Sequence, residues 1–148
     1  MTVEVGVDWL VYAAGLIDGG GCIMIGKRQR VGHRHPTYIP QVVVNMVKRD
    51  CIDKMQYLFG GCINRKKHSN PNANYSWAWT LTGTPALKFL SQIEPYVILK
   101  EPQVAAALWV LNSARKDPNG KKLTPDILAN RERCRELCHL HNKRGRNA

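Results

Sequence analysis

Twice within residues 8–82, a stretch with helical apolar spacing runs into adjacent glycines and continues as a strand whose side chains alternate. In the first round Asp8 to Asp18 reads as a helix, with Trp9, Leu10, Tyr12, Ala13, Leu16 and Ile17 apolar, and Gly19, Gly20 and Gly21 end it. The segment "CIMIGKRQR" then points Ile23 and Ile25 one way and Gly26, Arg28 and Arg30 the other. A hairpin loop at 31–37 leads to the return strand "YIPQVVVNMV". There Val42, Val44 and Met46 share a buried face opposite Gln41, Val43 and Asn45, and Pro40 marks an edge or a bulge.

The second round repeats the plan. Asp50 to Phe59 spaces Ile52, Met55, Leu58 and Phe59 on one helix face, and Gly60-Gly61 stops it. The segments "CINRKK" and "NYSWAWTL" pair across the loop "HSNPNAN". Trp77 and Trp79 share a face with Tyr75 and Leu81, which assigns them to a core rather than to base stacking. Thr84-Pro85 caps and starts a third helix to about Ile93. Pro102 fits the first turn of a fourth helix, and Thr124-Pro125-Asp126 opens a last one. The expected fold is α+β: an αββαββα saddle with extra C-terminal helices. Its four-stranded antiparallel sheet carries helices on one face and leaves the other open. One domain over residues 1–148 accounts for the length.

Charge says what the open face is for. Lys and Arg number 22 against 11 acids. Residues 1–26 hold Glu4, Asp8 and Asp18 and no base, whereas residues 27–68 hold ten bases against Asp50 and Asp53. Such a field favours a polyanion. Bases on strands, rather than along one amphipathic helix, argue for nucleic acid over an anionic membrane. No apolar run approaches the ~20 residues of a membrane span, and "MTVEVGVDWL" lacks the basic start and apolar middle of a secretory signal. Five cysteines without close pairing point to a reducing, intracellular setting. The sequence does not separate an organelle, chloroplast or mitochondrion, from a phage or prokaryotic cytoplasm. Cys134, Cys138, His139 and His141 match no common structural-zinc spacing, so the two thiols, one turn apart, read as packing.

The stretch "AAGLIDGGG", residues 13–21, resembles the LAGLIDADG motif of homing endonucleases at six of nine positions: Ala14, Gly15, Leu16, Ile17, Asp18 and Gly21. The αββαββα order, "FGGCI" and "IEPYVILK" extend the likeness over roughly residues 9–112. One motif copy implies a homodimer in which small residues, Ala13, Ala14 and Gly15 with Ile17, let two motif helices meet across a two-fold axis. The partner implied is duplex DNA with a long pseudo-palindromic site. The strands supply its readers: Arg28, Arg30, Gln41, Asn45, Asn64, Lys66 and Ser76. Each has phosphate contact as the alternative role.

The resemblance also implies cleavage of both strands with Mg²⁺ held at the motif helix ends, at Gly19 and at the position now filled by Gly20. The usual metal-binding carboxylate belongs at that eighth motif position. Asp18, two residues earlier, points to another side of the helix and serves as a polar helix-end residue. Lys100 matches the basic residue placed near the scissile phosphate, and Lys48 is a weaker candidate on the other side of the pocket. Two readings stay open. One is an endonuclease subunit whose cleavage Gly20 puts in question. The other is a non-cleaving binder: a maturase-like cofactor acting on structured intron RNA, or a DNA-binding regulator.

Overall fold

The computed structural model describes residues 4–67, 75–115 and 124–144; the expected loop at 68–74 lies outside these. Helix α1 (Val7–Gly20) leads into strand β1 (Gly21–Arg28), and β2 (Thr37–Met46) returns beside it. Helix α2 (Asp50–Phe59), β3 (Cys62–Lys66) and β4 (Ser76–Thr82) repeat the unit. Helix α3 (Gly83–Ile93), a 3₁₀ turn (Glu94–Tyr96), α4 (Glu101–Arg115) and α5 (Pro125–Arg144) follow. All strand pairs are antiparallel, in the order β1-β2-β4-β3. The expected αββαββα order with two further helices is therefore the observed one.

Alternation sorts the sheet into two faces. Ile23, Val42, Val44, Trp79 and Leu81 point into one core with Ala13, Ala14 and Ile17 of α1, Ile52 and Met55 of α2, and the buried sides of α3 and α4. Trp79 is the pivot of this core. It is fully buried, its ring meets Phe89 edge-on at 5.4 Å, and its indole N–H donates to the Gly60 carbonyl at 2.8 Å. Among the described residues no helix packs over the opposite face. Pro40 is the one surprise in the register, because β2 is a central strand. It lies just past Gln41↔Thr82, the last pair with β4, while the pairing with β1 runs on through it at Ile25↔Pro40.

Helix α5 covers the outer strand β1 through polar fastenings that the sequence did not reveal. The Tyr38 hydroxyl donates to Glu132 at 2.6 Å, and the Lys27 ammonium lies 3.2 Å from the same carboxylate. Asn142 donates to the Ile23 carbonyl at 3.0 Å, which blunts the free edge of β1. Cys138 packs beside Ile25 and Val110, and burial pushes its thiol up to about 12. That is the packing role expected for it. Thr124 caps α5 as expected, its hydroxyl accepting from the Ile127 N–H at 3.2 Å. The third helix instead starts at Gly83, one residue before the expected Thr84 cap. Thr82 stands at the N-cap and makes no side-chain cap bond there.

The two glycine breaks look alike in sequence and differ in cause. Gly60 and Gly61 have φ of +81° and +95°, where an L side chain is strained, and a Cβ on Gly61 would lie 2.7 Å from the Thr80 carbonyl. None of Gly19, Gly20 and Gly21 has positive φ, so helix exit angles do not require them. Gly21 is needed for close approach, since a Cβ there would lie 2.9 Å from the Ile17 Cα. Gly20 is not needed in that way: its Cβ would meet only the Met46 Cε at 3.8 Å. Urea unfolding should separate them. Gly21→Ala is expected to lose about 1–3 kcal/mol by overpacking, while Gly20→Ala stays within about 0.5 kcal/mol of the parent.

Candidate nucleic-acid interface

The open face is built from the outward members of each strand. The register aligns Cys22, Val43 and Thr80 across its middle, with Met24, Gln41 and Thr82 on one side and Asn45, Ala78 and Asn64 on the other. Arg28 ends β1 and Lys66 ends β3, so the two charges stand at diagonally opposite corners. Arg30 and Arg34 extend the Arg28 corner through the turn between β1 and β2. Of the expected readers, Arg28, Arg30, Asn45, Asn64 and Lys66 are exposed and Gln41 is half-buried. Ser76 is withdrawn. It is only 7% exposed, because a short side chain on a strand with neighbours on both sides does not reach solvent.

Four of the ten bases between 27 and 68 serve the protein itself. Besides Lys27, Arg49 pairs with Asp53 at 3.1 Å and stacks on Trp77 at 4.4 Å. Lys54 lies 4.4 Å over Trp9, and Arg65 lies 4.6 Å over Tyr75. The open face is thus less densely basic than the sequence count implied. Lys48 is exposed in the bend after β2, and among the described residues no hydrogen bond or ion pair joins it to the end of α1.

At that end the structure adds a contact that the sequence reading missed. The Asp18 carboxylate accepts from the Ile98 N–H at 2.8 Å and from the Lys100 N–H at 3.0 Å. It ties the turn before α4 to the C-terminus of α1. Burial acts to raise the Asp18 pKa. The backbone donors of Ile98, Lys100 and Leu99 and the Lys100 charge outweigh burial and hold it below the usual carboxylate range. The Lys100 ammonium reaches back to within 3.4 Å of the Asp18 carbonyl, onto the negative pole of the helix. Gly19 and Gly20 are exposed at the same pole. Lys100, Gly19 and Gly20 therefore do converge, and Asp18 is the residue that brings them together.

Helix α1 also differs from expectation in which side it presents. Ala13, Ala14 and Ile17, expected at a two-fold interface, are sealed in the protomer's own core. The outward side carries Val7, Val11 and Tyr12, which are 59%, 49% and 46% exposed, with Gly15 in line. The signal was legible: from Trp9 to Ile17, past the exposed Asp8 of the first turn, the helix carries no charged residue on any side, which a surface helix does.

The residues present do not make a divalent-cation site. Among the described residues no three of His, Cys, Asp and Glu gather to hold a metal. Position 20 has no side chain, both Asp18 carboxylate oxygens accept backbone N–H groups, and an ammonium stands at the helix end. Nor is any described helix long and apolar enough to cross a membrane.

No protein-family model matches the chain, and no curated protein matches it. Solved structures do. The chain superposes on I-CeuI, a group I intron-encoded homing endonuclease complexed with DNA, with a TM-score of 0.65 at 18% identity, over 92% of this chain and 70% of that one. I-TnaI, a homing endonuclease, gives 0.63 at 19% identity over 96% and 99%. I-GzeII, a LAGLIDADG homing endonuclease in complex with a DNA target, gives 0.62 at 15% identity over 89% of this chain and 44% of that one. The chain has the LAGLIDADG homing-endonuclease fold.

Acid unfolding should expose the Asp18 clamp. Its pKa is lower folded than unfolded, so its contribution is present above the unfolded value near 4 and is lost as pH falls through the folded value. Asp18→Asn should cost about 1 kcal/mol at pH 7, less than is usual for hydrogen bonds to a charged group because the site is partly solvated. That gap to the parent should close as pH falls below about 4. Thermal melts of both proteins across pH 3–7 measure it.

Proposed function

We propose that this chain is a LAGLIDADG homing-endonuclease subunit that binds duplex DNA as a homodimer across a long pseudo-palindromic site. The observation that carries the reading is helix α1. It bears the motif, delivers Lys100 to its C-terminal end through Asp18, and keeps an apolar outward side for a second copy. Val7, Val11 and Tyr12 form that side, Gly15 allows close approach, and Ile98 and Leu99 stand exposed next to the Asp18 clamp. Pairing two copies through α1 joins two four-stranded faces into one eight-stranded surface. The fold itself occurs in chains spanning this length and in chains of about twice it, as the coverages of I-TnaI and I-GzeII indicate.

The DNA-bound state of the similar structures supports a duplex as partner. Arg28, Arg30, Gln41, Asn45, Asn64 and Lys66 face it, with Arg suited to guanine and Asn or Gln to adenine. Lys100 is the candidate for steadying charge at the central phosphates, and Lys48 the candidate for a phosphate clamp. The cleavage half of the function lacks its acid at position 20, which favours a second reading: a binder that holds its site without cutting it. Structured intron RNA is the alternative ligand of that binder.

Two experiments test this. Duplexes selected from a random library by the protein should be bound intact, and a Gly20→Asp variant should cut both strands of them in Mg²⁺. If the parent cuts as fast as the variant, the role given to position 20 is wrong, and selection of no duplex removes the endonuclease reading. Separately, Val11→Glu should convert a two-chain species to a single folded chain in sedimentation, with little change in the protomer's own core because Val11 is 49% exposed and outside it. A parent that sediments as one chain, free and DNA-bound, contradicts the dimer.

A further inference from the structure

We infer that this protein holds the central phosphodiesters of its duplex directly through the Lys100 ammonium, without a divalent cation between protein and DNA. The inference rests on the duplex-binding homodimer proposed above and concerns what stands at its centre.

A metal-holding centre at the end of α1 needs net negative charge there, so that a cation is attracted and then bridges to phosphate. This chain has the opposite balance. Position 20 offers no carboxylate, and nothing in the backbone or the packing forces that absence, since a Cβ would meet only the Met46 Cε at 3.8 Å. Both Asp18 oxygens point at the N–H groups of Ile98 and Lys100 rather than outward. Carbonyls alone remain, and the Lys100 ammonium already lies 3.4 Å from one of them. The negative pole of the helix is answered by a cation built into the chain. An ammonium there repels Mg²⁺ and attracts a phosphate oxygen, with which it forms a charge-assisted hydrogen bond.

The clamp also fixes where that ammonium sits. The Asp18 carboxylate immobilises the Lys100 backbone N–H, and the Lys100 carbonyl, just before α4, accepts the Val104 N–H at 3.0 Å. Only the side chain is left to move. Two such lysines, one per protomer, flank the two-fold axis at the two helix ends.

The experiment is a binding titration of a selected duplex at constant ionic strength, in Mg²⁺ and in chelator. The parent should bind with affinities within about twofold in the two conditions, because no metal bridges the complex. Lys100→Met should weaken binding and reduce the slope of log affinity against log salt by about 2, one phosphate contact per protomer. Gly20→Asp, which sets a carboxylate against the same phosphates, should lose about tenfold in chelator and regain it in Mg²⁺. A parent that loses tenfold in chelator overturns the inference, as does an unchanged salt slope in a folded Lys100→Met. If Lys100→Met melts early, the parent comparison decides alone. Failure to select any duplex defeats the underlying reading instead, a result distinct from metal-dependent binding of a duplex that was selected.

Discussion

A helix that carries no charge on any side from Trp9 to Ile17 exposes apolar surface once its inner side is packed, and that constraint organises this protein. The inner side of α1 is sealed by the protomer: Ala13, Ala14 and Ile17 disappear under the sheet and the later helices. The outer side, with Val7, Val11 and Tyr12, stays exposed in the protomer and is the surface the proposed second copy would cover. A monomer that finished its core with a polar outer stripe would need none of this. The requirement also explains why the motif is rich in small residues on the inside. Alanines bring α1 close to the sheet, and Gly21 lets the chain pass Ile17 at a distance no side chain would tolerate.

From that placement the rest follows in order. Because β1 starts at the end of α1, the open face of the sheet and the carbonyl end of the helix lie on one continuous path of chain. The Asp18 clamp brings a third segment, the start of α4, to the same place. Charge is then divided by function. Lys27, Arg49, Lys54 and Arg65 are spent on ion pairs and aromatic rings away from the open face, whereas Arg28 and Lys66 mark its corners. A long polyanion fits two separated corners better than one dense patch, because phosphates recur along its length.

Much of this was legible in the sequence, for a physical reason. Alternation reports strand faces directly, so Ile23, Val42, Val44 and Leu81 fell on the core side and Gln41, Asn45 and Asn64 on the open side as read. What the sequence hid depends on distance along the chain. Asp18 meets Lys100 from 82 residues away, and Tyr38 meets Glu132 from 94. No local period encodes either contact. Ser76 shows that alternation gives a direction and not a depth: it falls on the open side by register and is only 7% exposed. Ala13, Ala14 and Ile17 were placed on the partner side because a small-residue run looks the same whether it packs on its own sheet or on a second copy. The glycines show the same limit: Gly60-Gly61 and Gly19–Gly21 read alike, yet only the first pair carries positive φ.

The central claim is that two copies of α1 meet to lay one symmetric sheet surface on a duplex. Hydroxyl-radical footprinting of a selected duplex with the parent protein tests it most directly. The account predicts protections on both strands, related by a two-fold axis at the middle of the site and extending equally to either side. Protection of one half-site alone, with no symmetric partner at saturating protein, would contradict it.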